Sequence, residues 1–470
     1  MLYKSIVRSH FDYSAIAYTN ANISLLKKLD VIQNKALRII TGAMCSTPIN
    51  SLEIETCIPP LVLHRLKTIE RFCLKIIACN NRCVLDRILP KQQLPQNMIG
   101  PYVNAGDLLT GHFPELLRII IHLQSHFVNM YKSNELPLYK LKYDLINTSI
   151  ELIPDKVYSQ NQLLEFLETY PDCYKIYTDG SKTTNSVTAA YYDSKQKITK
   201  CFKLDSDCSI FTAECYAIFC ALSYLNEIVN SNSNFLILTD SHSAISAITN
   251  NSPKHNVNYL VYLIKHEVYK LKSTGRNVKL IWVPSHQGIT GNEVADTAAR
   301  GKPDEDHSAS LKVPYTDYYT HITQAQKQLW ESYWNDISQV KGRWYREIQK
   351  TMPALPWYHR NHLNIDQRNF ITTICRLRFG HCRTPAHLKR LNIITNAACP
   401  HCKEPEADLN HLILKCKQFN LNRLLLVDEL ITASENDSDS DVPENLQTIL
   451  SNPKYFKAIF NYVTKTIELI

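Results

Sequence analysis

Four carboxylates sit in four distinct settings along the chain: Asp179 in IYTDGS, Glu214 in FTAECYAI, Asp240 in LILTDSHS and Asp296 in GNEVADTAA. Acids delivered by separate strands and helices can converge on one point, and clustered acids tolerate their mutual repulsion best around divalent cations. Mg²⁺ takes oxygen ligands and binds through a few carboxylates together with substrate phosphates. Two such ions side by side form the site that displaces a phosphodiester in line. The chemistry these residue types imply is metal-assisted cleavage of nucleic acid. Each piece alone has a plain structural reading: Asp-Gly at 179–180 is a turn signal, and Asp240-Ser241 reads as a helix cap. Their order, their local settings and the string WVPSHQGITGNEVAD, which carries His286, argue against those readings together.

A second group lies near the C-terminus. Cys399 and Cys402 are followed by His411 and Cys416, a C-x₂-C-x₈-H-x₄-C spacing. A close cysteine pair plus a distant His/Cys pair supplies the tetrahedral thiolate and imidazole set that zinc prefers. His401, between the first two cysteines, ranks below His411 as a ligand. Ahead of this group Arg368, Arg376, Arg378, Arg383, Lys389 and Arg390 interleave with Phe370, Phe379 and His381. Basic groups among aromatics suit phosphate contact and base stacking; the same pattern also fits the solvated face of an ordinary helix.

The elements that must position the acids follow from pattern. Lys175–Thr178, Val187–Tyr192 and Lys197–Leu204 are rich in β-branched and aromatic residues and read as strands. A helix is expected from about Phe211 to Ile228, and Phe235–Thr239 is a continuous apolar strand of the kind buried on both faces. A helix from Val257 to Lys272, a strand over Val278–Val283 and a helix over Asn292–Arg300, opened by Gly291 and closed near Gly301, complete the set. Asp179 and Asp240 thus stand at the carboxyl ends of two apolar strands. If these strands are neighbours, the acids lie where open α/β sheets place their ligands. Near the N-terminus, Leu25, Leu26, Leu29, Ile32, Ala36, Leu37 and Ile40 recur at helical spacing with Gly42 as a stop. Lys28, Lys35 and Arg38 line another side of that helix and, with Arg376, Arg378 and Arg383, are candidate nucleic-acid contacts.

The motifs YTDGSK, TAECYAI, LTDSHSAI and IWVPSHQGITGNEVADTAAR resemble the type-1 ribonuclease H domain, in the form carried by LINE-type (non-LTR) retrotransposons. The resemblance covers about Asp172 to Lys302. It implies an α/β fold with a five-stranded mixed sheet flanked by helices. It further implies that Asp179, Glu214, Asp240 and Asp296 hold two Mg²⁺ ions (Mn²⁺ as an alternative) that cut the RNA strand of an RNA–DNA hybrid. His286, on a mobile loop, would assist proton transfer or product release. Ser181 and Asn185 are candidates, by position, for contacting the substrate, whose 2′-OH distinguishes RNA from DNA. The stretch LKKLDVIQNKALRIITGA…TPINSLEIETCIPPL resembles the thumb and connection region of LINE-type reverse transcriptases, which packs on template–primer duplex. ACPHCKEPEADLNHLILKC resembles the cysteine–histidine motif that follows ribonuclease H in these elements. No Tyr-x-Asp-Asp polymerase motif occurs, so polymerase activity is not expected.

Composition agrees. At 470 residues the chain is long enough for two or three domains, and its net charge of +8 favours a polyanionic partner. MLYKSIVRSHFDY lacks the apolar core of a signal peptide, and LLRIIIHL at 116–123 is far too short to span a membrane. The 15 cysteines therefore read as reduced thiols of an intracellular protein of cytoplasm or nucleus, three of them bound to one structural zinc. The expected organisation is a helical thumb-like remnant (1–135), a linker (136–170), the ribonuclease H domain (171–303), a basic helical segment (304–390), a zinc knuckle (391–425) and an acidic loop with a C-terminal helix (426–470). Expected partners are an RNA–DNA hybrid and retroelement RNA or cDNA, with no membrane. Two rival readings remain open: a silent nucleic-acid-binding remnant whose nuclease fold is a scaffold, and a transposase- or integrase-like nuclease acting on DNA.

Overall fold

The computed structural model describes residues 2–13, 15–18, 21–79, 116–132, 151–152, 160–171, 173–228, 234–250, 258–308, 310–359, 365–434, 443 and 445–466. The far end of the thumb-like stretch, most of the 136–170 linker and most of the acidic stretch 433–444 lie outside them. The described residues group into two compact units. One comes from residues within 1–69 and 324–470, the other from 70–79 and 116–323. Among the described residues no helix is long and apolar enough to cross a membrane.

The second unit is built on a mixed sheet. Its strands are β1 (Glu151–Leu152), β2 (Tyr174–Lys182), β3 (Val187–Asp193), β4 (Ile198–Leu204), β5 (Asn234–Thr239), β6 (Asn277–Trp282) and β7 (Glu305–Asp306), in the order β1-β6-β5-β2-β3-β4-β7. β2, β3 and β4 are antiparallel, while β5 and β6 run parallel to β2. The expected five-stranded sheet is thus β2 to β6, with a two-residue strand added at each edge. Two-residue strands have too little alternation to be visible in sequence. The apolar run of β5 is buried from Phe235 to Thr239, as a central strand covered on both faces must be.

Helices α1 (Gln160–Glu168), α2 (Ile210–Ile228), α3 (His242–Thr249), α4 (Tyr259–Ser273) and α5 (Thr290–Arg300) flank this sheet. Successive strand residues point to opposite faces, and β2 uses both. A Cβ on Gly180 would point at Ala213 and Glu214 of α2, whereas the Tyr177 ring lies against Gly291 of α5. Three boundaries differ from the sequence expectation by two residues or more, and others by one. β2 runs on to Lys182 because Asp179–Lys182 pair with Ala190–Val187 of β3. α4 starts at Tyr259, where the Asn258 side chain accepts a hydrogen bond from Leu260 N. α5 starts at Thr290, after the buried Ile289.

The other unit is helical. The helix Ile23–Thr41 is capped by Asn22 and ends at Gly42, whose φ of 66° is the left-handed conformation that terminates helices. Its Leu37 shares a core with Leu52 and Ile54 and with Trp334, Tyr345, Ile371 and Phe379 from the other end of the chain. Amphipathic helices must bury their apolar stripes against something, and here the two ends of the sequence bury each other's. At the centre lies a buried ion pair. Arg378 Nε is 3.0 Å from Glu55 Oε1 and Arg378 Nη2 is 3.0 Å from Glu55 Oε2. Tyr345 and Trp357 donate to the same carboxylate.

Candidate active site

The register of the sheet brings the acids together. Thr178 of β2 pairs with Thr239 of the parallel β5, so the next residue on each strand, Asp179 and Asp240, emerges side by side. Ser241, not Asp240, caps α3 by accepting from Ala244 N, so the Asp240 carboxylate is not spent on the helix end. Gly180 lets α2 come close enough to deliver Glu214, because any side chain there would strike Glu214 N. One carboxylate oxygen each from Asp179, Glu214 and Asp240 all lie within 4.8 Å of one another.

Electrostatics follow from this crowding. Burial, reinforced by the charges of Asp240 and Asp296, pushes the Asp179 carboxyl up to about 7 against the opposing pull of Arg300 and the Gly180 N–H. Burial and then the charges of Asp179 and Asp240 push Glu214 up to about 9. Glu214 Oε2 is buried without a hydrogen-bond partner. An all-oxygen set with a partnerless buried oxygen and acids that hold protons when alone fits a hard divalent cation such as Mg²⁺.

Asp296, on α5, stands outside that tight trio. Its charge acts on Asp179, and its Oδ1 is 2.9 Å from Arg300 Nη2 one turn on. His286 is exposed, in a left-handed turn with φ 55°, and is not drawn into the acid cluster. Two contributors were not anticipated from sequence. Ser285 Oγ donates to Asp240 Oδ2 at 2.8 Å, and Arg300 counters Asp296. The Ser beside His286 and the i,i+4 spacing of Asp296 and Arg300 were the signals available. Trp282 Nε1 also donates to the Asp240 carbonyl, tying the β6 end to the β5 end.

Residues 171–302 match the RNase H family model. No curated protein matches the chain. The matched segment is a ribonuclease H domain, the domain of a hydrolase that acts on nucleic acid.

The cysteine group also assembles. Cys399, Cys402, His411 and Cys416 each offer a ligand atom within 4.8 Å of the others, and all but Cys402 are buried. Cys399 and Cys416 sulfurs are 3.8 Å apart, and Cys402 Sγ is 3.3 Å from His411 Nε2. The chain turns through Lys403, with φ 67°, and the Lys403 N–H returns to the Cys399 carbonyl. His401 instead sets its ring edge-on to Phe419. Three soft thiolates and one borderline imidazole in this arrangement fit zinc. The cysteines among the described residues are all free thiols.

The basic candidates divide. Lys28, Lys35 and Arg383 are exposed. Arg38 donates to the carbonyls of Asn34, Cys45 and Thr47, and Arg376 donates to the Gly42 carbonyl. Arg378 was expected to contact nucleic acid; it is 2% exposed and clamps Glu55, so it is a structural cation. A basic residue among aromatics reads the same in sequence whether its partner is a phosphate or a carboxylate hundreds of residues away. In the nuclease unit, Ser181 is half-buried beside Gly180, and Asn185 is exposed in the β2–β3 turn.

Proposed function

We propose that this protein hydrolyses the RNA strand of RNA–DNA hybrids with two divalent metal ions held by Asp179, Glu214, Asp240 and Asp296. The observation that carries the reading is the convergence of three carboxylates within 4.8 Å around a buried, partnerless Glu214 oxygen. When bound, the ions supply the charge that acidifies an attacking water and stabilises the departing 3′ oxygen. Asp179 and Asp240 bind from the adjoining strand ends, Glu214 closes the site from α2, and Asp296 adds its charge from α5. The Ser285 hydroxyl fixes the rotamer of Asp240. Arg300 holds Asp296 in place from one turn on. His286, on its exposed loop, moves a proton to or from the leaving group, and Ser181 and Asn185 contact the substrate strand beside the acids.

The motif resemblance supports a retroelement origin, with residues 1–135 as a thumb remnant, 304–390 as a basic helical segment and Cys399, Cys402, His411 and Cys416 as a structural zinc site. The test of function is incubation of purified protein with a labelled RNA–DNA hybrid, with and without Mg²⁺. Mg²⁺-dependent loss of the RNA strand, with duplex DNA spared, is the expected result. Equal cutting of duplex DNA would favour the transposase-like chemistry. An inert protein would leave the fold as a binding scaffold.

A further inference from the structure

The helical unit holds an open cleft of about 850 Å³, within the roughly 300–1,000 Å³ of ligand-sized sites. Trp344 and Phe379 form its aromatic wall, and Gly380 is what lets the indole lie there. With φ 68° and a Cβ position 2.6 Å from the Trp344 ring, no side chain is tolerated at 380. Lys389 and Arg390, both exposed, form a basic lip. Glu406 and Asp408 face the cleft from the other side, and Asp408 Oδ1 is already engaged by His411 N.

His381 and His387 also line the cleft, and both bond to Ser46. A guanidinium only donates, so Arg390 Nη2, 2.7 Å from His387 Nδ1, makes that nitrogen an acceptor. The proton of neutral His387 is then on Nε2 and is donated to Ser46 Oγ at 3.1 Å. Ser46 Oγ is 3.0 Å from His381 Nδ1, and when it passes its own proton along that bond the His381 proton lies on Nε2. Burial, with His387 and Arg390 nearby, lowers His381 to about 4, so it stays neutral near pH 7. In that arrangement the relay places an N–H donor on one ring of the cleft wall, while its other end is anchored at the basic lip.

We propose that this cleft binds single-stranded nucleic acid, with phosphates along Lys389 and Arg390 and a base against Trp344 within reach of the His381 N–H. An aromatic wall and a basic edge are what sequence-tolerant single-strand binding uses, and the His381 N–H adds a donor beside them. The acidic side is suited to the exocyclic amino groups of bases rather than to a second backbone. The reading does not depend on the nuclease chemistry, since neither a DNA nor an RNA single strand is a hybrid.

The test uses the full chain and twelve-residue oligo(dC) and oligo(C), whose bases carry the exocyclic amino group, with binding read by fluorescence anisotropy across a salt series. Lys389→Ala, a surface change, is expected to weaken binding several-fold and to reduce the salt slope by about 0.7, the value for one phosphate on a single strand. His381→Gln and Trp344→Phe are expected to weaken binding with the slope unchanged, and Trp344→Phe should lose the crosslink to a 5-iodouracil oligonucleotide. Preference for one oligomer identifies the source of the strand. Unchanged affinity and slope in Lys389→Ala and His381→Gln, or crosslinks confined to residues 171–302, would overturn the proposal.

Discussion

Gly180 runs so close to Glu214 that a Cβ added to the glycine would lie 2.7 Å from the Glu214 backbone nitrogen. The strand that presents Asp179 and the helix that presents Glu214 are thus spaced by the absence of one side chain. Gly180→Ala should push α2 outward, at about 1–3 kcal/mol for an overpacked contact. Cleavage should fall further than stability does, because the acids separate. Thermal melts beside hybrid-cleavage rates would show it, and unaltered cleavage would contradict the tight trio.

Asp179→Asn and Asp240→Asn should abolish hybrid cleavage while the fold persists, each removing a charge that anchors the metals. Circular dichroism and a gel assay on the same preparation separate the two effects. His286→Ala should be milder, slowing turnover by about 10²–10⁴-fold, the typical contribution of proton transfer. Wild-type turnover in Asp240→Asn would remove the metal-site reading.

The metal-free protein should lose stability as pH rises. Asp179 and Glu214 hold their protons in the folded state up to about 7 and about 9, against ordinary values of 3.8 and 4.5. The folded state therefore binds more protons than the unfolded state across that interval, and stability falls with increasing pH there. Melting in Mg²⁺-free buffer, without chelator so that the cysteine site is undisturbed, should show a declining transition from pH 5 to 9. Added Mg²⁺ should restore more stability at the alkaline end, and Glu214→Gln should flatten the decline. A rising profile would mean that the acids are not crowded as described.

Elemental analysis should find about one zinc per chain, lost in His411→Ala and Cys402→Ser but retained in His401→Ala. Metal binding at such a site is largely the folding energy of its segment. Zinc loss should therefore disorder residues near 399–416 while the nuclease domain keeps its own transition. Retention of zinc in His411→Ala with loss in His401→Ala would reverse the ligand assignment.

Glu55→Gln should destabilise the helical unit by about 3–5 kcal/mol, the cost of leaving a buried cation without its counter-charge. Urea titration followed by Trp fluorescence would register it, since Trp357 donates to the same carboxylate. A change near zero would mean that the pair is open to solvent.

Much of the active site was legible because each acid is tied to a local signal. Asp179 and Asp240 follow apolar strand runs, Glu214 lies in a buried helix, and the apolar run of β5 marks a central strand, although only the structure shows that its neighbour is β2. What was not legible depends on partners distant in sequence. Nothing near Arg378 announces Glu55, 323 residues earlier, so a core cation looked like a phosphate contact. Likewise the helical spacing shows that Ala36, Leu37 and Ile40 are covered, but not that residues beyond 330 cover them, while Leu25 and Ile32 of the same stripe are exposed. The direction of the His381–Ser46–His387 relay needs a hydroxyl from residue 46 that no local pattern connects to residues 381 and 387.

The Glu55–Arg378 clamp also sets an order of events during synthesis. Glu55 leaves the ribosome 323 residues ahead of its counter-ion, a delay on the order of tens of seconds at about 5–20 residues per second. The nuclease segment is complete in the interval and has its whole sheet available, so it can fold first. The early helices meanwhile carry a carboxylate with nothing to neutralise it and an apolar stripe with nothing to cover it. A ribosome stalled between residues 323 and 378 would therefore display a folded nuclease domain preceded by helices in search of a partner, a nascent state exposed to chaperones and proteases.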